Sequence, residues 1–304
     1  MPSQGNQPSR AVTFAIKNGR KSTWIRSDRH GQFKISLGAC NRKPKSVRHE
    51  AIRTAKRIRE LTSKPIIICY SGGLDSELVL SAFRAADISV ECAIIKYRQN
   101  LNRHDISAAI EFCEKSHQPY RLVSLDIEDF LIGREYTSWR RQLNNHYPIA
   151  PANFFLHKKL SEEGLYPVAG CGEPVFTLIE NSLFLEDGEI NFALEQFCNH
   201  FKIDGEPSFF RRSPELYFSI LKWFSRSATG LQVPSDRALN VPYKTALYHE
   251  AFSLAPRRKF HGYEKLLERT PEMSRLLIRQ RHPNKKIDRI PLDEALRQLY
   301  GESP

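Results

Sequence analysis

The sequence predicts an α/β fold, a doubly wound parallel sheet with a small N-terminal β unit before it and a helical C-terminal region after it. Three observations lead there. Apolar runs at 66–70, 90–97, 121–126 and 166–170 alternate with stretches of helical periodicity. The run Ile66-Ile67-Ile68-Cys69-Tyr70 is continuous, as expected of a strand buried on both faces. It stops in Ser71-Gly72-Gly73-Leu74-Asp75-Ser76 and passes directly into helix-forming residues, the strand–turn–helix order of a βαβ unit.

Residues 1–10 are polar and rich in Ser, Gln and Pro, and read as disordered. Residues 11–40 then alternate in strand fashion around Asn18-Gly19 and His30-Gly31 turns, which predicts a small antiparallel unit. Ile52, Ala55, Ile58 and Leu61 recur at helical spacing and predict an amphipathic helix over 49–61. The core follows as strand 66–70, helix 75–87, strand 90–97, helix 105–117 and strand 121–126. A helical, aromatic stretch over 127–162 leads to a fourth strand at 166–170, and the pattern beyond Phe176 is mainly helical. The chain therefore divides into a basic arm with its β unit (1–48), an α/β domain (49–185) and a helical region that completes the site (186–304).

Charge is unevenly placed. The net charge is +12, and residues 1–64 hold sixteen Lys or Arg against three Asp or Glu. Such an arm suits nucleic acid, an acidic protein or polyphosphate, and equally a solvated tail. The six cysteines are scattered without a C-x-x-C pair, which fits reduced thiols in a cytoplasmic protein. No apolar stretch reaches the length of a membrane span, and MPSQGNQPSR lacks the apolar core of a signal peptide, so no membrane partner is expected.

The turn at 71–76 has the chemistry of a phosphate site. Gly72 and Gly73 let backbone N–H groups approach an anion, the following helix presents its positive end, and Ser71 and Ser76 add hydroxyls. A carboxylate beside phosphate is repulsive unless a cation intervenes, so Asp75 reads as a Mg²⁺ ligand, direct or through water. No Lys follows the second Gly as a Walker loop requires.

SGGLDS resembles the PP-loop of the ATP pyrophosphatase superfamily, whose members share a doubly wound α/β domain and mostly cleave ATP between the α and β phosphates. A second loop, Ala169-Gly170-Cys171-Gly172-Glu173-Pro174, resembles the Gly-x-Gly-x-Asp-Glu segment of asparagine synthetases, with Pro174 where the second acid would stand. The resemblance implies that Gly170, Gly172 and Glu173 line the ATP pocket and that Glu173 joins Asp75 at the metal. Glu173 also reads as a helix N-terminal acid favoured by the dipole. Cys171 reads as a small packed residue or as a sulfur-carrying thiol.

Residues 244–259 resemble the late asparagine-synthetase segment in which a lysine contacts pyrophosphate, with Tyr248 where that pattern has Arg. This implies catalytic roles for Lys244 and, with Arg257 or Arg258, Lys259, since a fixed ammonium at the departing pyrophosphate favours the transition state. Lys96, ending the second strand, is placed by the resemblance at the adenine or ribose, read through the backbone of Ile95 and Lys96. Asp105 reads as a helix N-cap, and Asp126 either faces the pocket or caps the helix at Ile127.

The expected activity is adenylation of a carboxylate or carbonyl oxygen by Mg²⁺ and ATP, followed by displacement of AMP by an amine or ammonia. No nucleophilic Cys follows Met1, so ammonia is expected from solution or an external source, without a glutaminase domain. The alternatives are a PP-loop enzyme of nucleic-acid base modification or sulfur transfer, holding nucleic acid on the basic arm, and a non-catalytic nucleotide-binding module. The ammonia-dependent and nucleic-acid readings leave the substrate open between a small molecule and a polymer.

Overall fold

The computed structural model describes residues 23–27, 32–143, 150–179, 182–188, 192–227, 240–255 and 287–300. Strands β1 (Thr23–Ser27) and β2 (Gln32–Ser36) form an antiparallel hairpin with Trp24 opposite Ile35, as the alternation predicts. The strand expected at 11–16 and both expected turns lie outside the described residues.

Helix α1 (Val47–Leu61) starts at Ser46, whose hydroxyl accepts the His49 N–H at 3.3 Å. Val47, Ala51, Ala55 and Ile58 form its buried stripe. Extended Thr62 ends the helix, and the chain turns through Pro65 into β3 (Ile66–Cys69).

The central sheet adds β4 (Glu91–Tyr97), β5 (Tyr120–Leu125) and β6 (Tyr166–Ala169) in the order β5-β4-β3-β6, every pair parallel. All of β6 and Ile66, Ile67 and Ile68 of β3 are buried, which explains their unbroken apolar runs. Helices α2 (Leu74–Ala85) and α3 (Arg103–Lys115) are the first two crossovers, and α4 (Ile127–Ile132), α5 (Arg134–Leu143) and α6 (Ala150–Glu162) lie between β5 and β6. From β3 the chain moves outward to β4 and β5, then returns to the other side of β3 as β6. The loops after β3 and β6 therefore open side by side at a switch point, where open α/β sheets bind ligands.

Beyond Phe176 the structure adds an element that sequence periodicity misses. Strands β7 (Val175–Ile179), β8 (Ser182–Gly188) and β9 (Ile287–Pro291) form an antiparallel sheet in that order. The partner of β8 at β9 is about a hundred residues away, and no local pattern reports such a pairing. The expected helices are present as α7 (Ala193–Phe201), α8 (Pro214–Ser227), α9 (Asn240–Phe252) and α10 (Leu292–Tyr300). Phe176 of β7 stacks on Phe224 of α8 with centroids 3.8 Å apart, and Tyr243 of α9 meets both rings edge-on.

Glu206 extends the sheet past β6: its N–H donates to the Pro167 carbonyl at 2.8 Å, and its carbonyl accepts the Ala169 N–H at 2.9 Å. Its buried carboxylate accepts the Ser208 N–H at 3.3 Å and lies 3.3 Å from Arg212. Burial raises its pKa from 4.5 to about 7, with Arg212 opposing. His157 on α6, also fully buried, lies 3.5 Å from the Cys69 thiol and is pushed down from 6.5 to about 3 by burial.

The two groups act oppositely on stability. Folded Glu206 holds its proton while the unfolded chain loses it between pH 4.5 and 7, so its contribution falls as pH rises through that window. Unfolded His157 takes up a proton between pH 6.5 and 3 while the folded one does not, so its contribution falls as pH drops. Glu206→Gln removes the first effect: in urea titrations the stability difference between variant and wild type should shift in the variant's favour by on the order of 3 kcal/mol from pH 4.5 to 7.5. A pH-independent difference contradicts a buried, protonatable Glu206.

Candidate active site

The loop after β3 is shaped from within. The Ser76 hydroxyl donates to the Gly73 carbonyl at 2.9 Å and accepts the Ser71 N–H at 3.2 Å, and the Ser71 hydroxyl lies 3.2 Å from it. Ser71 Oγ in turn accepts the Gly73 N–H at 3.4 Å. Ser76 is buried, and its hydroxyl, expected as a donor to an anion, braces the turn by donating to the Gly73 carbonyl. Gly72 has φ +73°, and a Cβ there would stand 2.9 Å from Ala109 Cβ on α3. Gly73 is the N-cap of α2, and no side chain caps the helix. The first-turn N–H groups from Leu74 onward are thus left facing the loop as donors suited to an anion.

The loop after β6 packs against that helix start. A Cβ on Gly170 would lie 2.9 Å from Ser76 N and 3.0 Å from the Asp75 carbonyl oxygen, so only glycine permits this approach. Gly172 has φ +86° and lies against Arg211 and Ser208. Strand β7 begins at Val175, so Glu173 stands in a loop between strands and not at a helix start, which removes the dipole reading.

Glu173 and Asp75 converge on one cation. Lys244 Nζ lies 2.7 Å from Glu173 Oε1 and 3.1 Å from Asp75 Oδ2. Tyr248, one turn farther along α9, donates its hydroxyl to the other Asp75 oxygen at 2.8 Å. Tyr243 on the same helix donates to the Pro174 carbonyl and ties α9 to the Glu173 loop. The side chains of Asp75, Glu173 and Lys244 are 29%, 24% and 15% exposed, partly desolvated yet open to a ligand. Burial, then Asp75, holds the Glu173 carboxyl above the usual range against the pull of Lys244. Burial works against the Lys244 charge, but Glu173 and Asp75 outweigh it and keep the ammonium protonated.

The remaining sequence expectations fare unevenly. Lys96 is half-buried on β4 and pairs through its backbone with β5, opposite Ser124. Past the end of β3, the Asn102 carboxamide takes the free edge of β4, donating to the Ile95 carbonyl at 2.9 Å and accepting the Tyr97 N–H at 2.8 Å. The Ile95 carbonyl, one of the backbone groups expected at an adenine, is therefore already engaged by Asn102. Asn102 also precedes the first residue of α3, which places Asp105 in the first turn and not at the N-cap. Asp126 is the N-cap of α4, accepting the Asp129 N–H at 3.1 Å, and its other oxygen pairs with Arg98 at 3.1 Å. Burial, with Glu173 and Asp75 next, raises the Cys171 thiol to about 12, which keeps it protonated and argues against a sulfur-carrying thiolate. Lys259, Arg257 and Arg258 lie outside the described residues.

Sequence reading missed Tyr248 and Asn102. Tyr248 had a signal: it stands at i+4 from Lys244 and shares its helix face.

No family model matches the sequence, and no curated protein matches it. Among solved structures, the chain is similar to an NMN synthetase from Francisella tularensis at 14% identity and a TM-score of 0.34, covering 78% of this chain and 93% of that one. It is also similar to an NH3-dependent NAD synthetase from Campylobacter jejuni solved with nitrate, at 11% identity and a TM-score of 0.33, covering 78% and 87%. The chemistry of the site follows from its own side chains and not from these likenesses.

The donor set fits a hard divalent cation. Two carboxylates from separate loops share one cation position, and their oxygens suit Mg²⁺. Among the described residues no group of three or more His, Cys, Asp or Glu could hold a metal ion. No described helix is long and apolar enough to cross a membrane.

Tyr248→Phe removes a hydroxyl bonded to a charged, partly buried carboxylate. Chemical denaturation should show a loss of about 1–2 kcal/mol, most of it absent when Asp75→Ala is already in place. Full additivity of the two substitutions contradicts the contact.

Proposed function

We propose that this site adenylates a carboxylate or carbonyl oxygen at the expense of ATP and releases pyrophosphate. The observation that carries the proposal is the meeting of Asp75, Glu173 and Lys244 beside an uncapped helix start at the switch point of the sheet. The first-turn N–H groups of α2 from Leu74 onward bind phosphate oxygens without a side chain and carry no net charge of their own. Asp75 and Glu173 are the residues that would hold Mg²⁺, which supplies neutralisation of the phosphate oxygens when bound.

The acceptor oxygen attacks the α-phosphorus, a new P–O bond forms, and the bond to the bridging oxygen of pyrophosphate breaks. Negative charge then grows on the departing group. Lys244 is protonated and anchored on α9, and moving from the two carboxylates to that charge it stabilises the transition state more than the ground state. An amine or ammonia next attacks the activated carbon, a C–N bond forms, and AMP leaves with the bonding electrons. Tyr248 keeps Asp75 oriented throughout, because burial holds its phenol protonated as a donor.

Incubation with ATP, Mg²⁺, ammonium and panels of carboxylates or carbonyl compounds should yield AMP and pyrophosphate, resolved by ³¹P NMR. ADP and phosphate as products contradict the scheme. Lys244→Gln should slow pyrophosphate release by about 10²–10³-fold with a smaller change in ATP affinity. Asp75→Asn should abolish Mg²⁺-dependent turnover, and full activity in that variant rules out its place at the cation.

A further inference from the structure

Residues 1–64 carry sixteen Lys or Arg and three Asp or Glu, whereas residues 65–304 carry thirty and thirty-one. The whole excess of positive charge thus belongs to the N-terminal fifth of the chain. The structure shows where its described part is displayed. The segment before α1 is pinned to the body: the Cys40 N–H donates to the Leu299 carbonyl at 2.6 Å, and the Asn41 N–H to Glu215 at 3.0 Å. Arg42 pairs with buried Glu50, which also accepts the Lys45 N–H at 2.7 Å. That removes Glu50, one of the three acids, from the surface.

What remains outward is mostly basic, with exposed Glu60 near the far end of α1 as its one described acid. Lys43, Lys45, Arg53 and Lys56 are exposed, Arg57 is half-buried, and none of the five side chains has an ion pair among the described residues. Arg53 and Lys56 lie on the face of α1 opposite its Val47, Ala51, Ala55, Ile58 stripe, and Lys43 and Lys45 precede the N-cap Ser46 at its start; from Val47 to Lys56 the helix rises about 14 Å. His49, set among them, reports the local field. Burial first, then Lys45, with smaller effects of Arg42 and Arg53, holds its imidazole below the usual value although Glu50 opposes.

The strip borders the active site. Four residues join α1 to β3, and α1 packs against α2 and α9, the two helices that carry Asp75 and Lys244. There Arg48 donates to the Ala251 carbonyl at 3.0 Å and covers the Phe252 ring at 4.9 Å. Ala251 lies about 10 Å along α9 from Lys244.

We infer that the segment Lys43–Lys45 and the outer face of α1 form a docking surface for the phosphodiester backbone of nucleic acid. Unpaired cations on an ordered scaffold answer a polymer of regularly spaced negative charge. An anionic membrane is the poorer occupant, because surface helices that enter membranes present a large apolar face as well. The described large apolar side chains that are exposed are Leu61, Leu122, Ile132 and Tyr300, and of these only Leu61 is on α1, at its far end.

The test uses the full chain without nucleotide, so it reads this surface whether or not the site adenylates anything. Fluorescence anisotropy with labelled 20-nucleotide RNA and DNA, single-stranded and duplex, between 50 and 200 mM KCl should show binding that weakens steeply with salt. Combined Lys43→Gln, Lys45→Gln, Arg53→Gln and Lys56→Gln should reduce affinity at 50 mM KCl by at least tenfold. For a single strand it should also flatten the slope of log K against log salt by about 3, four contacts at roughly 0.7 each. A control with Lys115→Gln, Lys159→Gln, Lys222→Gln and Arg297→Gln should keep wild-type binding, and both variants should match wild type in circular dichroism. RNA or DNA meeting these criteria supports the inference. No binding of either polymer at 50 mM KCl, an unchanged slope in the first variant, or equal loss in the control overturns it. So does equal or tighter binding of polyglutamate or of phosphatidylserine vesicles with the same dependence on the four residues.

Discussion

The Lys244 ammonium sits between two carboxylates that reach it on different loops, and three distant parts of the chain depend on that meeting. Without the cation, Asp75 and Glu173 would face each other across a partly desolvated gap, a repulsion that burial sharpens. With it, the start of α2, the loop after β6 and helix α9 become one unit. For a fully buried pair, loss of one partner costs about 3–5 kcal/mol, and the residual exposure of these groups makes the cost here smaller. Tyr248 on Asp75 and Tyr243 on the Pro174 carbonyl add fixed donors from the same helix, so α9 is held to both acidic loops at several points.

The glycines make this meeting sterically possible. Gly72 lets the first loop settle on Ala109, and Gly170 lets the second come within contact of the α2 backbone. These approaches place Asp75 and Glu173 close enough to share an ammonium while α2 keeps an uncapped N-terminus. The sheet order supplies the rest, since β3 and β6 are neighbours whose loops emerge on the same edge. Charge is divided along the chain: residues 65–304 are nearly neutral, and the surplus of positive charge falls in residues 1–64.

Much of this was legible in the sequence where the determinants are local. The strand at 66–69, the glycine turn and α2 follow from a continuous apolar run broken by residues without a Cβ, and the structure places them within a residue or two. Lys244, singled out by the late segment, contacts Asp75 and Glu173 directly. Non-local features stayed hidden. The β8–β9 pairing joins segments about a hundred residues apart, and Asn102 completes the β4 edge only because β3 ends two residues short of it. Ser76 shows a third limit: the residue was found, but the direction of its hydroxyl depends on the Gly73 carbonyl and the folded turn.

The shared cation position is tested most directly by Mn²⁺ affinity in the absence of nucleotide, measured by electron paramagnetic resonance on wild type and Lys244→Gln. If the ammonium occupies the place a divalent ion would take between Asp75 and Glu173, its removal frees two carboxylates and Mn²⁺ should bind at least about tenfold more tightly. Equal or weaker binding in a folded Lys244→Gln protein contradicts the account.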